Sequence, residues 1–177
     1  MCAGCVSGTY LRPVVAGAEY SGVKCTEPGY RASFPLDAIY ISLSIDLKNP
    51  PNHGVELILS IPEGQIAQLT ERTLDVHTKT PNGEKRDVIE FRQPYWASGI
   101  GNSILVPLTG STHIVKPLLA KTFTRYRMYP LVAEMSFDNV ESGSVKLPNM
   151  IINGKEVIGP DVPFVRTGYS LLPIECE

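Results

Sequence analysis

This sequence is short of the features that usually announce an activity. Sixteen Lys and Arg against eighteen Asp and Glu leave a net charge of −2, which excludes a general nucleic-acid binder, because such a protein needs a basic surface to neutralise phosphate. No apolar run approaches the roughly 18 residues that a helix needs to cross a bilayer. No repeat, charged tail or low-complexity segment divides the 177 residues. Histidine occurs three times, as His53, His77 and His113, none with a neighbouring partner at metal-ligand spacing. A structural or solvent-facing role is expected for each. The nucleophile elbow Gly-x-Ser-x-Gly is missing, so Ser111-Thr112-His113 stands without the strained turn that exposes a catalytic serine. Gly99-Ile100-Gly101 lacks the third glycine and the strand-to-helix setting of a dinucleotide site. No cofactor or metal is called for, and a non-catalytic protein is expected over an enzyme.

What is present suits one folded body. Hydrophobic residues make up 43% and charged residues 19% of the chain, enough for one sizeable core without a second domain. Fifteen glycines and fifteen prolines exceed ordinary usage and suit many turns between short strands.

Periodicity sets the class. Ile39, Ile41, Leu43, Ile45 and Leu47 alternate with Ser42, Ser44, Asp46 and Lys48, so one face of a long strand lies in a core. After the turn-rich Asn49–Gly54, the pattern resumes at Val55, Leu57, Leu59 and Ile61, and the two segments should pair as an antiparallel hairpin. Asn82-Gly83 predicts a second hairpin, from Thr73–Lys79 to Lys85–Arg92, with Leu74, Val76, Ile89 and Phe91 in the core. Ile66 and Leu69, three apart within Gln65–Arg72, suggest a short helical turn. Ile104–Leu108 reads as a short strand. Between Thr122 and Phe137 the apolar phase moves from even to odd positions near Tyr129-Pro130, which predicts a bulge. Val145–Ile152, the Asn153-Gly154 turn and Val157 give a further hairpin, and Pro163–Cys176 a last extended segment. Eight or nine strands with little helix predict an all-β, single-domain antiparallel β-sandwich, with a β-barrel as the alternative. Pro107, Pro130 and Pro163 favour the sandwich, as devices for edges and corners. Residues 1–20 read as a tether or N-terminal extension and 21–177 as the sandwich domain.

The four cysteines bear on location. Ala3-Gly4-Cys5 resembles the end of a lipobox, the acylation signal of bacterial envelope lipoproteins. The resemblance covers about five residues and implies lipidation at Cys5, a chain shortened to just ahead of it, and a place on the periplasmic side of the envelope. The membrane would be touched through the lipid anchor alone. Two other readings of Cys2 and Cys5 stay open: an incidental pair in a disordered tail, or a Cys-x-x-Cys redox or metal motif. The redox reading needs a helix after the second cysteine, and Val6-Ser7-Gly8-Thr9 is none. A zinc site would have to recruit Cys25 and Cys176, which do not form a second close pair. As a disulfide, Cys25 and Cys176 would tie the two ends of the body together. The chain-entropy gain for so long a loop is roughly 5 kcal/mol, and the bond would persist only in an oxidising space. Two buried free thiols in a cytosolic protein are the alternative.

Candidate binding residues are few. Gln93–Gly101 reads as a loop holding Tyr95 and the single tryptophan, Trp96. Exposed, these rings would form a platform for a sugar or a protein partner; buried, Trp96 would plug one end of the core. Glu134 falls in the polar phase of its strand and should be solvated, or else a buried acid if a second sheet covers it. Lys121, Arg125 and Arg127 share one strand face as a small basic stripe. The expected function is a non-catalytic envelope lipoprotein that binds another envelope protein or a glycan. Two alternatives are a hydrolase whose site assembles only in three dimensions, which a cleft holding two carboxylates would favour, and a subunit of a secretion or pilus assembly, which would offer an edge strand for addition.

Overall fold

Alternation becomes sheet throughout. The structure, a computed structural model, describes residues 6–21, 31–46, 54–96, 103–107, 113–114 and 126–171, and its described elements are all strands. Every pairing is antiparallel. In chain order they are β1 (Val6–Pro13), β2 (Glu19–Ser21), β3 (Arg31–Leu36), β4 (Ile39–Asp46), β5 (Gly54–Pro62) and β6 (Ala67–Leu69). Then come β7 (Thr73–Thr80), β8 (Gly83–Glu90), β9 (Arg92–Trp96), β10 (Ser103–Pro107) and β11 (His113–Ile114). The last are β12 (Tyr126–Glu134), β13 (Ser142–Lys146), β14 (Met150–Ile152), β15 (Lys155–Val157) and β16 (Asp161–Leu171).

A twelve-stranded sheet runs β10-β9-β12-β5-β4-β1-β16-β13-β7-β8, with β3 on β4 and β2 on β3. β8 ends that order and β9 stands next to its other end, yet only Phe91 separates them in sequence. The first half of the stretch 83–96 pairs with β7. The chain then turns at Phe91, which is buried and donates its N–H to the Arg72 carbonyl at 2.8 Å, and Arg92 pairs with Val132 of β12. One bent stretch thus links the two ends of the sheet and curls it nearly into a barrel. A second, four-stranded sheet runs β11-β6-β14-β15, with Ala67, Leu69, Met150 and Ile152 buried against the common core.

The predicted hairpin of β4 and β5 is at the centre, from Tyr40↔Ser60 to Asp46↔Gly54. Ile39, Ile41, Leu43, Ile45, Val55, Leu57 and Leu59 are all fully buried, each stabilising the fold by roughly 1.5–3 kcal/mol relative to exposure. Phe164 meets Phe137 edge-on, with centroids 5.8 Å apart. β13 can lie beneath that ring because residue 143 is glycine: a Cβ there would stand 2.6 Å from Phe164 Cζ and run into the His77 carbonyl.

Several expectations are corrected. Residues 1–20 are no mere extension: from Val6 the chain is sheet, β1 pairs with β16 from Val6↔Leu171 to Pro13↔Phe164, and Leu11 is fully buried. No helical turn forms over Gln65–Arg72, because Ile66 is 63% exposed while Leu69 is buried, so the two apolar residues share no face. No bulge interrupts β12, which matches β5 one for one from Tyr126↔Pro62 to Glu134↔Gly54. Its inward side chains are Tyr129, Leu131 and Ala133, and the apparent change of phase arises because Met128 points outward. Val145–Ile152 is two strands in different sheets, broken at Leu147–Asn149. Pro107 ends a strand at the end of the sheet order, whereas Pro130 and Pro163 lie within strands, opposite Ile58 of β5 and Ser144 of β13. On their other sides the ladders reach only Val132 and Phe164, so each proline sits just past a ladder end, where no N–H is required of it.

Candidate functional site

Since residues two apart share a face, the outer face of β4, β5 and β12 follows from their register. Three rows cross it: Tyr40↔Ser60↔Met128, Ser42↔Ile58↔Pro130 and Ser44↔Glu56↔Val132. Tyr40 and Met128 stand 47% and 52% exposed on either side of Ser60, whereas Ile58 in the next row is 7% exposed and forms the floor. Charged pairs rim this patch. Arg31 of β3 bonds Glu56, which also accepts a 3.3 Å bond from the Ser44 hydroxyl. Arg92 of β9 pairs with Glu134 at 2.6 Å. The Ser33 and Ser42 hydroxyls lie 2.8 Å apart. An apolar centre inside a polar rim is the anatomy of a protein interface, in which tyrosine and methionine are enriched; the flexible thioether of Met128 suits an imperfectly matched surface. Beneath the sheet, burial pushes the Tyr129 hydroxyl up to about 12, and it donates to Gln93 Oε1 at 3.0 Å, tying β12 to β9.

A second feature is a cleft of about 270 Å³ between the β7–β8 hairpin and the turn after β12, lined by Thr78, Thr80, Asn82, Asp87, Ser136 and Asp138 among others. Asp87 stands opposite Val76, on the inward side of β8. Its Oδ1 pairs with Lys85 at 2.9 Å, and its buried Oδ2 has no hydrogen-bond partner among the described residues. Asp138 is held by its turn: the Ser136 hydroxyl donates to its Oδ2 at 2.6 Å, and its own N–H reaches Ser136 Oγ at 3.3 Å. The cleft therefore offers three carboxylates, Glu84 and Asp87 from β8 and Asp138 from the turn after β12. Inward-facing Lys85 and Asp87 also blunt β8 as an edge, a common device against strand addition. On the outer face of the same hairpin, a hydrogen bond from Arg86 holds the Asp75 carboxyl below its ordinary range.

The residues singled out from sequence are scattered. Tyr95 and Trp96 lie in a strand and not a loop, opposite Ile104 and Ser103 of β10; their side chains are outside the described set. So are Cys2, Cys5, Cys25, Cys176, His53, Gly99–Gly101, Ser111, Thr112, Lys121 and Arg125. His77 is exposed in β7 opposite Arg86 and Ser144, and His113 stands opposite Leu69. Arg127 is opposite Ile61. Glu134 faces outward as expected, ion-paired with Arg92, which overturns the buried-acid alternative. Among the described residues no group of three or more His, Cys, Asp or Glu could hold a metal, and no helix is long and apolar enough to cross a membrane. Tyr40, Ile58 and Met128 were not singled out, although each is a large apolar residue in the polar phase of its strand, and that exception is visible in the sequence. No protein-family model matches the chain, and no curated protein or solved structure matches it.

Proposed function

We propose that the chain is a non-catalytic lipoprotein of the bacterial cell envelope that binds another envelope protein through the outer face of β4, β5 and β12. The observation that carries the binding half is the row Tyr40–Ser60–Met128 with Ile58 beside it, rimmed by two ion pairs. Thioether and aliphatic groups favour a protein partner over a glycan, which would ask for more hydrogen-bonding groups at the centre. The anchoring half rests on Ala3-Gly4-Cys5, and it is supported by β1 opening at Val6, which would join the acylated residue to the sheet without a spacer. A bond between Cys25 and Cys176 fits the same compartment.

The test uses the full-length acylated protein in its native envelope, with a photo-reactive residue in place of Met128 or, as control, of Val88, which is 65% exposed on β8. One discrete adduct from position 128 and none from 88 is expected, with Cys5→Ser moving the protein to the soluble fraction. Equal adducts from both positions would sink the binding face, and a membrane-bound Cys5→Ser protein would sink the anchor.

A second reading, an envelope hydrolase, has the carboxylate-lined cleft in its favour. It predicts hydrolysis of an envelope glycan or peptide that Asp87→Asn and Asp138→Asn abolish while thermal stability is kept. Activity unchanged in both variants would remove it.

A further inference from the structure

The chain holds two Asn-Gly turns, and the fold treats them differently. In the β14–β15 turn, Asn153 has a φ of 52° and Gly154 one of 82°. Its side chain is clamped to the segment before β6: Oδ1 accepts the Ile66 N–H at 3.0 Å, and Nδ2 donates to Gln65 Oε1. The Asn153 N–H adds a 2.9 Å bond to the Ile66 carbonyl. Asn82, in the β7–β8 turn, is exposed, and the bonds of its turn are made by other groups. Its backbone N–H reaches Thr80 Oγ1 at 3.2 Å, and that hydroxyl donates to the Gly83 carbonyl at 3.1 Å. The Asn82 amide has no hydrogen bond among the described residues, and nothing crowds Gly83 within 4 Å of where a Cβ would stand.

We infer that Asn82 is a site of spontaneous backbone-assisted deamidation and that Asn153 is protected from the same reaction by its cross-strand clamp. The Gly83 nitrogen, unshielded by a side chain, attacks Asn82 Cγ. A C–N bond forms, the Cγ–Nδ2 bond breaks, and ammonia leaves with the proton from the Gly83 nitrogen. The cyclic imide then takes up solvent water. Opening at one carbonyl leaves aspartate, and opening at the other leaves isoaspartate, which lengthens the backbone of the turn by one methylene. Either product places a new carboxylate at the lip of the cleft, beside Glu84, Asp87 and Asp138. The attack requires the asparagine side chain to rotate toward the next nitrogen. Asn82 can do so freely, whereas Asn153 must first give up two side-chain bonds, which slows it roughly 30-fold at ordinary net hydrogen-bond strengths.

The experiment ages the folded protein in mildly alkaline buffer and follows both positions by peptide mass spectrometry, with enzymatic methyl labelling of isoaspartate. Conversion at Asn82 should lead conversion at Asn153 by at least tenfold. The urea-unfolded chain should lose that difference, and Gln65→Ala should speed Asn153 in the folded protein. Equal rates at the two positions in the folded state, or a tenfold difference that persists in the unfolded chain, would overturn the inference. So would a folded Asn82 that reacts no faster than Asn153 in the Gln65→Ala protein.

Discussion

Replacing Phe91 by alanine removes the ring at the residue where the sheet is joined to itself. Phe91 is 1% exposed and lies between the strand that pairs with β7 and the strand that pairs with β12. Deleting so large a buried side chain costs about 3–5 kcal/mol from lost burial and the cavity left behind. Domains of this kind are stable by about 5–15 kcal/mol, so the variant should forfeit about a fifth or more of the total. At about 2–4 °C per kcal/mol for a chain of this length, the midpoint of thermal unfolding should fall by roughly 6–20 °C. The assay is urea unfolding followed by far-UV circular dichroism, with Val88→Ala as the control. Val88 lies three residues earlier and is 65% exposed, so its loss should stay within about 0.5 kcal/mol. A Phe91→Ala protein within about 1 kcal/mol of the parent would mean that the chain does not turn through the core at this residue, and the joined sheet would have to be abandoned.

Three further outcomes follow from other parts of the molecule. Gly54→Ala should destabilise the central hairpin by about 2 kcal/mol or more, because residue 54 has a φ of 140° and a Cβ there would collide with the Ala133 carbonyl; urea midpoints for the two proteins decide it. Tyr129, raised to about 12 by burial, should ionise above the ordinary tyrosine range in an ultraviolet titration. Its raised value means that the unfolded chain loses this proton first, so its contribution to stability is intact below about pH 10 and fades between there and about 12. A Tyr129→Phe protein should lose that part of the alkaline decline, and an identical decline in both would contradict the assignment. Non-reducing peptide mapping of protein taken from the envelope should find Cys25 joined to Cys176; free thiols at both positions would remove the argument from compartment.

The central hairpin was legible in sequence because four inward residues of β4, Ile39, Ile41, Leu43 and Ile45, alternate with polar ones and a turn-rich loop leads into a second alternating run. The β7–β8 and β14–β15 hairpins were legible for a related reason: Asn82-Gly83 and Asn153-Gly154 mark their turns. The joining of the sheet was not, since Phe91 looks like any inward residue and only the pairing of Arg92 with Val132 shows that the chain has changed partners. β1 was overlooked because Tyr10 and Leu11 are adjacent, both buried, and so break the period of two. The candidate face was hidden in another way. Tyr40 and Met128 belong to strands far apart in the chain, and the line between them runs through Ser60, so each strand shows one misplaced apolar residue and none shows a patch. Counting Met128 among the inward, even positions shifts the phase of its strand and predicts a bulge that β12 does not have. Asp138 likewise joins Glu84 and Asp87 in the cleft only through the crossing from β12 to β13.

Comparing stability with partner capture in the Tyr40→Ala/Met128→Asp double variant tests the account most directly. Both side chains are about half exposed, so thermal unfolding should be close to that of the parent. The envelope protein cross-linked from position 128 should no longer co-purify with the anchored chain. A double variant that is as stable as the parent and still retains that partner would show that the outer face of β4, β5 and β12 is not where this protein binds.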